Sequence, residues 1–419
     1  MLKVYPVSLG CPKNKADFEK LLYVLSKKKY QIVLSPEEAD IIWINTCAFI
    51  RPAVEEAIEN ILELGEKKRD TQKLIVSGCL TARYGKEVLK KLLPEVDDFL
   101  GIEPFKKFIK KEPLERILTE SPFYAYLKIS EGCNYKCSYC TIPKIRGPLR
   151  SRPLEEILKE AENLLKKGVK EIILVAQDIT SYGKDRGEKE GLLKLVSILS
   201  ELPYNFRIRL LYLHPANINK KFVKEMLLNP KVVPYFDIPI QHVHPEILRK
   251  MRRPVNIEKI KEIITYIRGI NPFSAIRTSI IVGFPGEGEK EFLTLCDFIK
   301  EVEFDHLGVF IFYQEEGTVA ETLLPKVPYR EKIKRKKEIM KIQREISKKR
   351  LETRIGKEEE VLVLGEDLKG KFFGIAKIQA PEIDGITYLY LNKKLIYPGD
   401  LVKVRIKKAN FYDLWGEII

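Results

Sequence analysis

Short apolar runs alternate with amphipathic helical stretches from residue 1 to about 325, and this limits the chain to a narrow set of folds. From 123 to 325 the unit repeats six times. YAYLKIS, KEIILVAQD, FRIRLLYL, YFDIPIQ, AIRTSIIVGF and HLGVFIFY read as strands, with helical stretches such as PLEEILKEAENLLKKG between them. Strands that are apolar almost throughout are buried on both faces, as in a parallel sheet covered by helices. Six successive units suit a partial (βα)6 barrel better than a closed eightfold one, with chemistry at the C-terminal strand ends. Residues 1–120 carry the same alternation in LKVYPVSLG, ADIIWINTCAF, KLIVSGCLT and DFLGI, which predicts a flavodoxin-like parallel sheet domain. Pro113 and Pro122 mark the link to the barrel. Beyond about 353 the helical period vanishes. EEVLVLGED, KFFGIAKIQA, ITYLYLN, DLVKVRIKKA and FYDLWGEII read as five strands, with turns at Asp384-Gly385 and Pro398-Gly399, and predict a small β-barrel of the oligonucleotide-binding type. The expected organisation of this α/β chain is therefore 1–120, 121–325, a linker helix at 326–352, and 353–419.

The formal charge of +15 invites a nucleic-acid reading, but its location weakens that reading. Lys326 to Arg350 holds 12 basic and 3 acidic residues, whereas Thr353 to Ile419 holds 11 and 10. The excess thus sits on one stretch, where Ile339, Ile342 and Ile346 recur at helical spacing. It reads as the solvated face of a linker helix; contact between 326–350 and ribosomal RNA or a ribosomal surface is the functional alternative. With 45% hydrophobic residues the chain is neither disordered nor a disulfide-stapled miniature. No apolar run approaches the roughly 18 residues of a membrane span. MLKVYPVSLGC is too short an apolar stretch for a signal peptide. A cytoplasmic location without membrane association is expected. There thiols stay reduced, and the seven cysteines are expected to bind metal or do chemistry.

Cys133, Cys137 and Cys140, in SEGCNYKCSYC, directly follow the first strand of the central barrel. Three thiolates in one loop suit an iron–sulfur cluster or zinc. Structural zinc wants four ligands, and no nearby Cys or His completes the set, which favours a cluster with one open iron. Cys11, Cys47 and Cys79 share no local motif. Each follows an apolar strand, in VSLGC, WINTC and VSGC, and the ends of parallel strands share one edge. Three buried small residues would explain the pattern too, but equivalent placement favours a second three-thiolate cluster. Cys296, on a predicted helix, reads as a core thiol, and His242 and His244 lack a third ligand nearby.

The run SEGCNYKCSYC resembles the signature of the radical S-adenosylmethionine (SAM) enzymes. The three independent parts together resemble the methylthiotransferase family over essentially the whole chain, with LGCPKN, NTCAFI and SGCL matching its N-terminal cysteine motifs and residues 353–419 its TRAM domain. The resemblance implies two [4Fe–4S] clusters, one on Cys11, Cys47 and Cys79 and one on Cys133, Cys137 and Cys140. It implies SAM as cofactor and methyl donor. Tyr139 matches an aromatic placed beside the adenine, and Gly283 to Glu287 (GFPGE) a glycine-containing SAM-binding segment. Gln177, Asp178, Arg209, Arg277, Gly283 and Glu287, at or near strand ends, are the remaining candidate SAM contacts. The implied chemistry takes hydrogen from a substrate carbon and inserts sulfur and a methyl group there.

AQDITSYG at 176–183, IPKIRGPLRSR at 142–152, YLHP at 212–215 and YDLWG at 412–416 are similar to the type that modifies the β-carbon of an aspartate in small-subunit ribosomal protein twelve. The near-neutral last segment agrees, since a tRNA-gripping barrel should be basic. The implied partners are that ribosomal protein, free or in the ribosome, and an electron donor such as flavodoxin or ferredoxin. A tRNA isopentenyladenosine methylthiotransferase and a non-enzymatic iron–sulfur RNA-binding module are the competing readings. Gly288, Ile179 and QHVHPEI at 241–247 depart from the family pattern.

Overall fold

The computed structural model describes residues 1–392 and 395–419. The chain opens with β1 (Leu2–Ser8) and α1 (Pro12–Lys27), whose first turn holds a proline where no N–H is needed. Then follow β2 (Tyr30–Ile32), β3 (Ile41–Thr46), α2 (Arg51–Lys67), β4 (Lys73–Gly78), α3 (Cys79–Tyr84), α4 (Lys86–Leu92) and β5 (Asp98–Phe99). Every pairing is parallel, in the order β2-β1-β3-β4-β5. That is the expected flavodoxin-like order, with its switch point between β1 and β3, where loops leaving the strands diverge and open a crevice. The sequence reading held no strand at β2, because three residues at a sheet edge carry too little pattern.

All six central strands form as expected. The run is β6 (Tyr124–Lys128), β7 (Ser130–Glu131), α5 (Ile142–Arg146), β8 (Arg150–Ser151), α6 (Leu154–Lys166), β9 (Glu171–Val175), α7 (Gly191–Ser200), β10 (Arg207–Leu210), α8 (Lys220–Leu228), β11 (Tyr235–Asp237), α9 (Pro245–Lys250), α10 (Ile257–Ile270), β12 (Ala275–Val282), α11 (Glu289–Val302) and β13 (His306–Ile311). β6, β9 and β10 pair in parallel, as do β11, β12 and β13. Ile208 N–H donates to Lys231 O at 2.7 Å and Val233 N–H to Ile208 O at 2.9 Å, joining the two halves. Among the described residues β6 and β13 do not pair, so the barrel stays open. The outer helices bury apolar stripes such as Ile157, Ala161, Leu164 and Leu165 of α6 in one core.

α12 (Tyr329–Glu352) lies against this barrel. Ile339 is fully buried, Gln343 Nε2 donates to Phe304 O at 2.7 Å, and Ser347 Oγ to Asp305 O at 2.9 Å. Lys334, Lys336, Lys337, Lys341 and Lys349 stay on its exposed face. No helix among the described residues is long and apolar enough to cross a membrane.

β14 (Glu358–Glu366), β15 (Phe372–Ala376), β16 (Thr387–Tyr390), β17 (Leu401–Ala409) and β18 (Leu414–Ile418) close into a barrel in the order β14-β15-β16-β18-β17. Its core is continuous with Tyr124, Tyr126, Ile173, Leu211 and Tyr235 of the larger barrel. Tyr124 and Tyr235 begin their strands, so the small barrel covers the N-terminal mouth, opposite the cysteine loops. The β15–β16 loop inserts there. Tyr124 and Tyr126 hydroxyls donate to Glu382 Oε1 at 2.9 and 3.0 Å, and Tyr235 donates to Asp384 Oδ2 at 2.6 Å. Burying the Asp384 carboxylate is tolerable because it meets several donors, the Tyr235 hydroxyl and the Ala380 N–H among them.

Candidate functional site

The three N-terminal cysteines leave the C-terminal ends of β1, β3 and β4, at the switch point. Gly10, at φ +100°, brings the first loop so close to the second that an added Cβ would lie 2.6 Å from the Cys47 Cβ. Asn14 Nδ2 donates to Thr46 O at 2.9 Å and Thr46 Oγ1 to Ser77 O at 2.6 Å, locking the three strand ends together. Burial, with the Cys11 and Cys79 thiols beside it, pushes Cys47 up to about 12. Burial also raises Cys79. Burial acts the same way on Cys11, but Lys13, Arg146 and the Lys13 and Asn14 N–H groups together hold that thiol below its ordinary value.

The second trio occupies the loop between β7 and α5. Gly132, at φ +76°, turns the chain into this loop; a Cβ there would sit 2.0 Å from Pro148 O. Burial pushes Cys140 up to about 12, and Cys133 upward, each with Cys137 adding to the effect. Arg253 Nη1 lies 3.8 Å from Cys137 Sγ. Among the described residues no three His, Cys, Asp or Glu side chains are grouped so as to hold a single metal ion. Each trio is therefore wider than a mononuclear site while its members still feel one another's charge. Three thiols with that spacing and no fourth protein ligand fit a four-iron cube better than zinc.

The trios meet through α5. Thr141, next to Cys140, donates from Oγ1 to Phe49 O at 3.0 Å, in the loop that follows Cys47. Arg146 Nη2 lies 3.4 Å from Cys79 Sγ and 3.3 Å from Asn14 Oδ1, while its Nη1 donates to both Glu131 oxygens at 2.9 Å. Lys128 donates to Asp17 and, at 2.9 Å, to Glu131 Oε2. Burial would raise Glu131, but Lys128 and Arg146 hold it well below the usual carboxylate range. Sequence reasoning quoted IPKIRGPLRSR without assigning Arg146 this bridge, since its partners Cys79 and Asn14 are 67 and 132 residues away. Arg146→Met leaves Lys128 alone to pair with two buried carboxylates, Asp17 and Glu131, and is expected to cost about 3–5 kcal/mol in urea unfolding of the full chain. An unchanged unfolding midpoint would remove the bridge from the fold's account.

Residues 127–299 match the radical SAM superfamily, 3–101 an uncharacterized protein family (UPF0004), and 355–419 the TRAM domain. The chain is 45% identical, over all of both chains, to a protein of Thermoanaerobacter sp. (strain X514) named ribosomal protein uS12 methylthiotransferase RimO. This chain belongs to the uS12 methylthiotransferase family. A relative of the same name from Thermotoga maritima is 43% identical, with 98% of each chain covered. Among solved structures, the radical SAM methyltransferase TsrM from Kitasatospora setae, with tryptophan and a SAM analogue bound, shares the fold. Its TM-score is 0.52 at 12% identity, over 74% of this chain and 73% of that one. SAM and [4Fe–4S] clusters are the cofactors of the uS12 methylthiotransferase family.

The candidate SAM contacts divide into two groups. Tyr139 stands beside Cys140, edge-on to Phe284 at 6.4 Å. Gln177 Nε2 donates to Glu131 Oε1 at 3.0 Å, while its buried Oε1 has no partner, as suits a residue awaiting a polar ligand. Asp178 lines a cavity of about 160 Å³ with Cys133, Tyr135 and Ser181. Its carboxylate already accepts from Thr180 N–H at 2.8 Å and Ser181 Oγ at 2.6 Å. Gly283 N–H donates to Glu287 Oε2 at 2.9 Å, folding GFPGE back on itself. The other three have their charges met inside the fold. Arg209 pairs with Glu171 at 2.6 Å and donates to Lys377 O at 2.9 Å under the TRAM barrel. Arg277 pairs with Asp237 at 2.9 Å, and Glu287 with Arg335 of α12 at 2.8 Å. His242 stands 3.4 Å from Glu287, and Cys296 is buried in the core, as its place on a helix predicted.

Proposed function

We propose that this chain inserts sulfur and a methyl group at the β-carbon of an aspartate in ribosomal protein uS12. One cluster is assigned to Cys133, Cys137 and Cys140, and the other to Cys11, Cys47 and Cys79. The observation that carries this reading is the junction at α5, where Thr141 and Arg146 join the loop of one trio to two loops of the other. When bound, the clusters and SAM supply the radical, the sulfur and the methyl group. The chain's own task is to keep water from the reacting carbon and to hold the substrate there. α1 runs along β6 at the open side of the barrel, tied by Lys128 to Asp17, and the TRAM loop fills the far mouth. Tyr139, Gln177, Asp178 and Gly283 are retained as SAM contacts; Arg209, Arg277 and Glu287 are reassigned to the scaffold.

The division into 1–120, 121–325, 326–352 and 353–419 is kept as the working organisation. The exposed lysines of α12 remain the candidate contact with ribosomal RNA, and a flavodoxin or ferredoxin the candidate electron donor, in the cytoplasm. Glu358, Glu359 and Glu360 of the small barrel pair with Arg405, Arg354 and Lys377. Mass spectrometry of uS12 and of tRNA from a deletion strain tests the reading. Loss of a methylthio group from uS12, restored by the gene, is expected. Loss from tRNA alone would overturn it.

A further inference from the structure

Four lysines of the chain are buried among the described residues: Lys13 and Lys15 at 8% exposure, Lys128 at 2% and Lys20 at 0%. Three of them have carboxylate partners. Lys15 meets Glu120 and Glu382, Lys20 meets Glu112 and Glu160, and Lys128 meets Asp17 and Glu131. Lys13 has none within 4.0 Å; its ammonium stands 3.6 Å above the centre of the Tyr212 ring. A buried ammonium without a carboxylate is costly, and a ring face offsets only part of that cost.

Its surroundings are built rather than incidental. Lys13 lies in the first turn of α1, two residues after Cys11. Tyr212 leaves the C-terminal end of β10 with φ +65°, a conformation rare for a bulky residue, and its N–H donates to Asp237 Oδ2 at 2.8 Å. Nearby carboxylates are taken. Asp237 pairs with Arg277, and Asp384 accepts from the Tyr235 hydroxyl and the Ala380 N–H. Cys79 has its own cation in Arg146. Apart from the Cys11 sulfur, whose charge Lys13 answers, no anion among the described residues faces this ammonium, so a carboxylate for it has to come from outside the chain.

We propose that Lys13 binds the side-chain carboxylate of the substrate aspartate and so selects an acidic residue over an amide. This rests on the proposed function and names the group that recognises its substrate. A carboxylate on Lys13 would hold the adjacent β-carbon between the Cys11 loop and the barrel interior, with Tyr212 as the floor.

The test uses the reconstituted full chain and two fluorescent peptides copying the uS12 target loop, one with the aspartate and one with asparagine in its place. Wild type is expected to bind the aspartate peptide more tightly. Lys13→Met is expected to weaken that peptide about 30-fold or more, the scale of losing one partner of a buried charge pair, and to leave the asparagine peptide unchanged. Lys13→Arg should keep the order of preference. Without peptide, Lys13→Met should resist urea at least as well as wild type and keep its iron, because it removes a buried charge that no carboxylate among the described residues balances. An unaltered preference in Lys13→Met overturns the assignment alone. Loss of iron from Lys13→Met also overturns it, making Lys13 a counter-ion for the cluster. Wild type that does not prefer the aspartate peptide overturns the substrate reading and the assignment with it.

Discussion

Cys133→Ala is expected to stop SAM cleavage while leaving the N-terminal trio able to bind iron. Cys133 sits at the head of a loop turned by Gly132 and shares no ligand with Cys11, Cys47 and Cys79. Two thiols are too few to keep a four-iron cube in place. Release of 5′-deoxyadenosine should fall at least about a thousandfold, as when one member of a unit that acts together is removed. Iron should fall by roughly half, from about eight to about four per chain, if each trio holds one cube. Deoxyadenosine at the wild-type rate would refute the assignment of Cys133, Cys137 and Cys140.

Cys47→Ala is expected to give the converse result. The barrel trio and its candidate SAM contacts lie outside the β1–β5 sheet, so deoxyadenosine should still form. The methylthio product should vanish, read as the mass of the target peptide. Cys47 is buried behind Gly10 and tied to its neighbours through Thr46 and Asn14, so solvent or a stray side chain cannot stand in for its sulfur. The alanine removes only the sulfur from that closed space. A fully methylthiolated peptide from this variant would mean that the N-terminal trio is not where sulfur is delivered. The same variant with lost deoxyadenosine would show that the trios depend on each other through α5.

Much of the fold was legible because buried parallel strands betray themselves. IIWINT and EIILV are mostly apolar and buried at every position, and every cysteine of the N-terminal trio follows an apolar run. The three-residue β2 was not legible, for want of length. The basic stretch at 326–350 was legible as a helix, but not its hold on the barrel. That hold depends on Arg335, which reads in sequence as one more cation and in the fold neutralises Glu287, 48 residues away. Arg209 and Arg277 show the same limit. Their strands were correctly placed, yet a strand's sequence does not tell which end of a barrel an inward side chain serves. Arg209 points to the end that the TRAM barrel covers.

By itself the sequence determined the order of the three folds, the two cysteine trios and the chemistry that such trios support. These follow from apolar period and ligand spacing, which are local properties of a chain. Only the tertiary structure decided that Arg146 joins the trios, that a TRAM loop closes the barrel from beneath, and that Lys13 alone among the buried lysines of the described residues lacks a carboxylate. Those facts depend on charges brought together from distant segments. Desolvation makes each such charge seek a partner, and which partner it finds is settled only when the chain has folded.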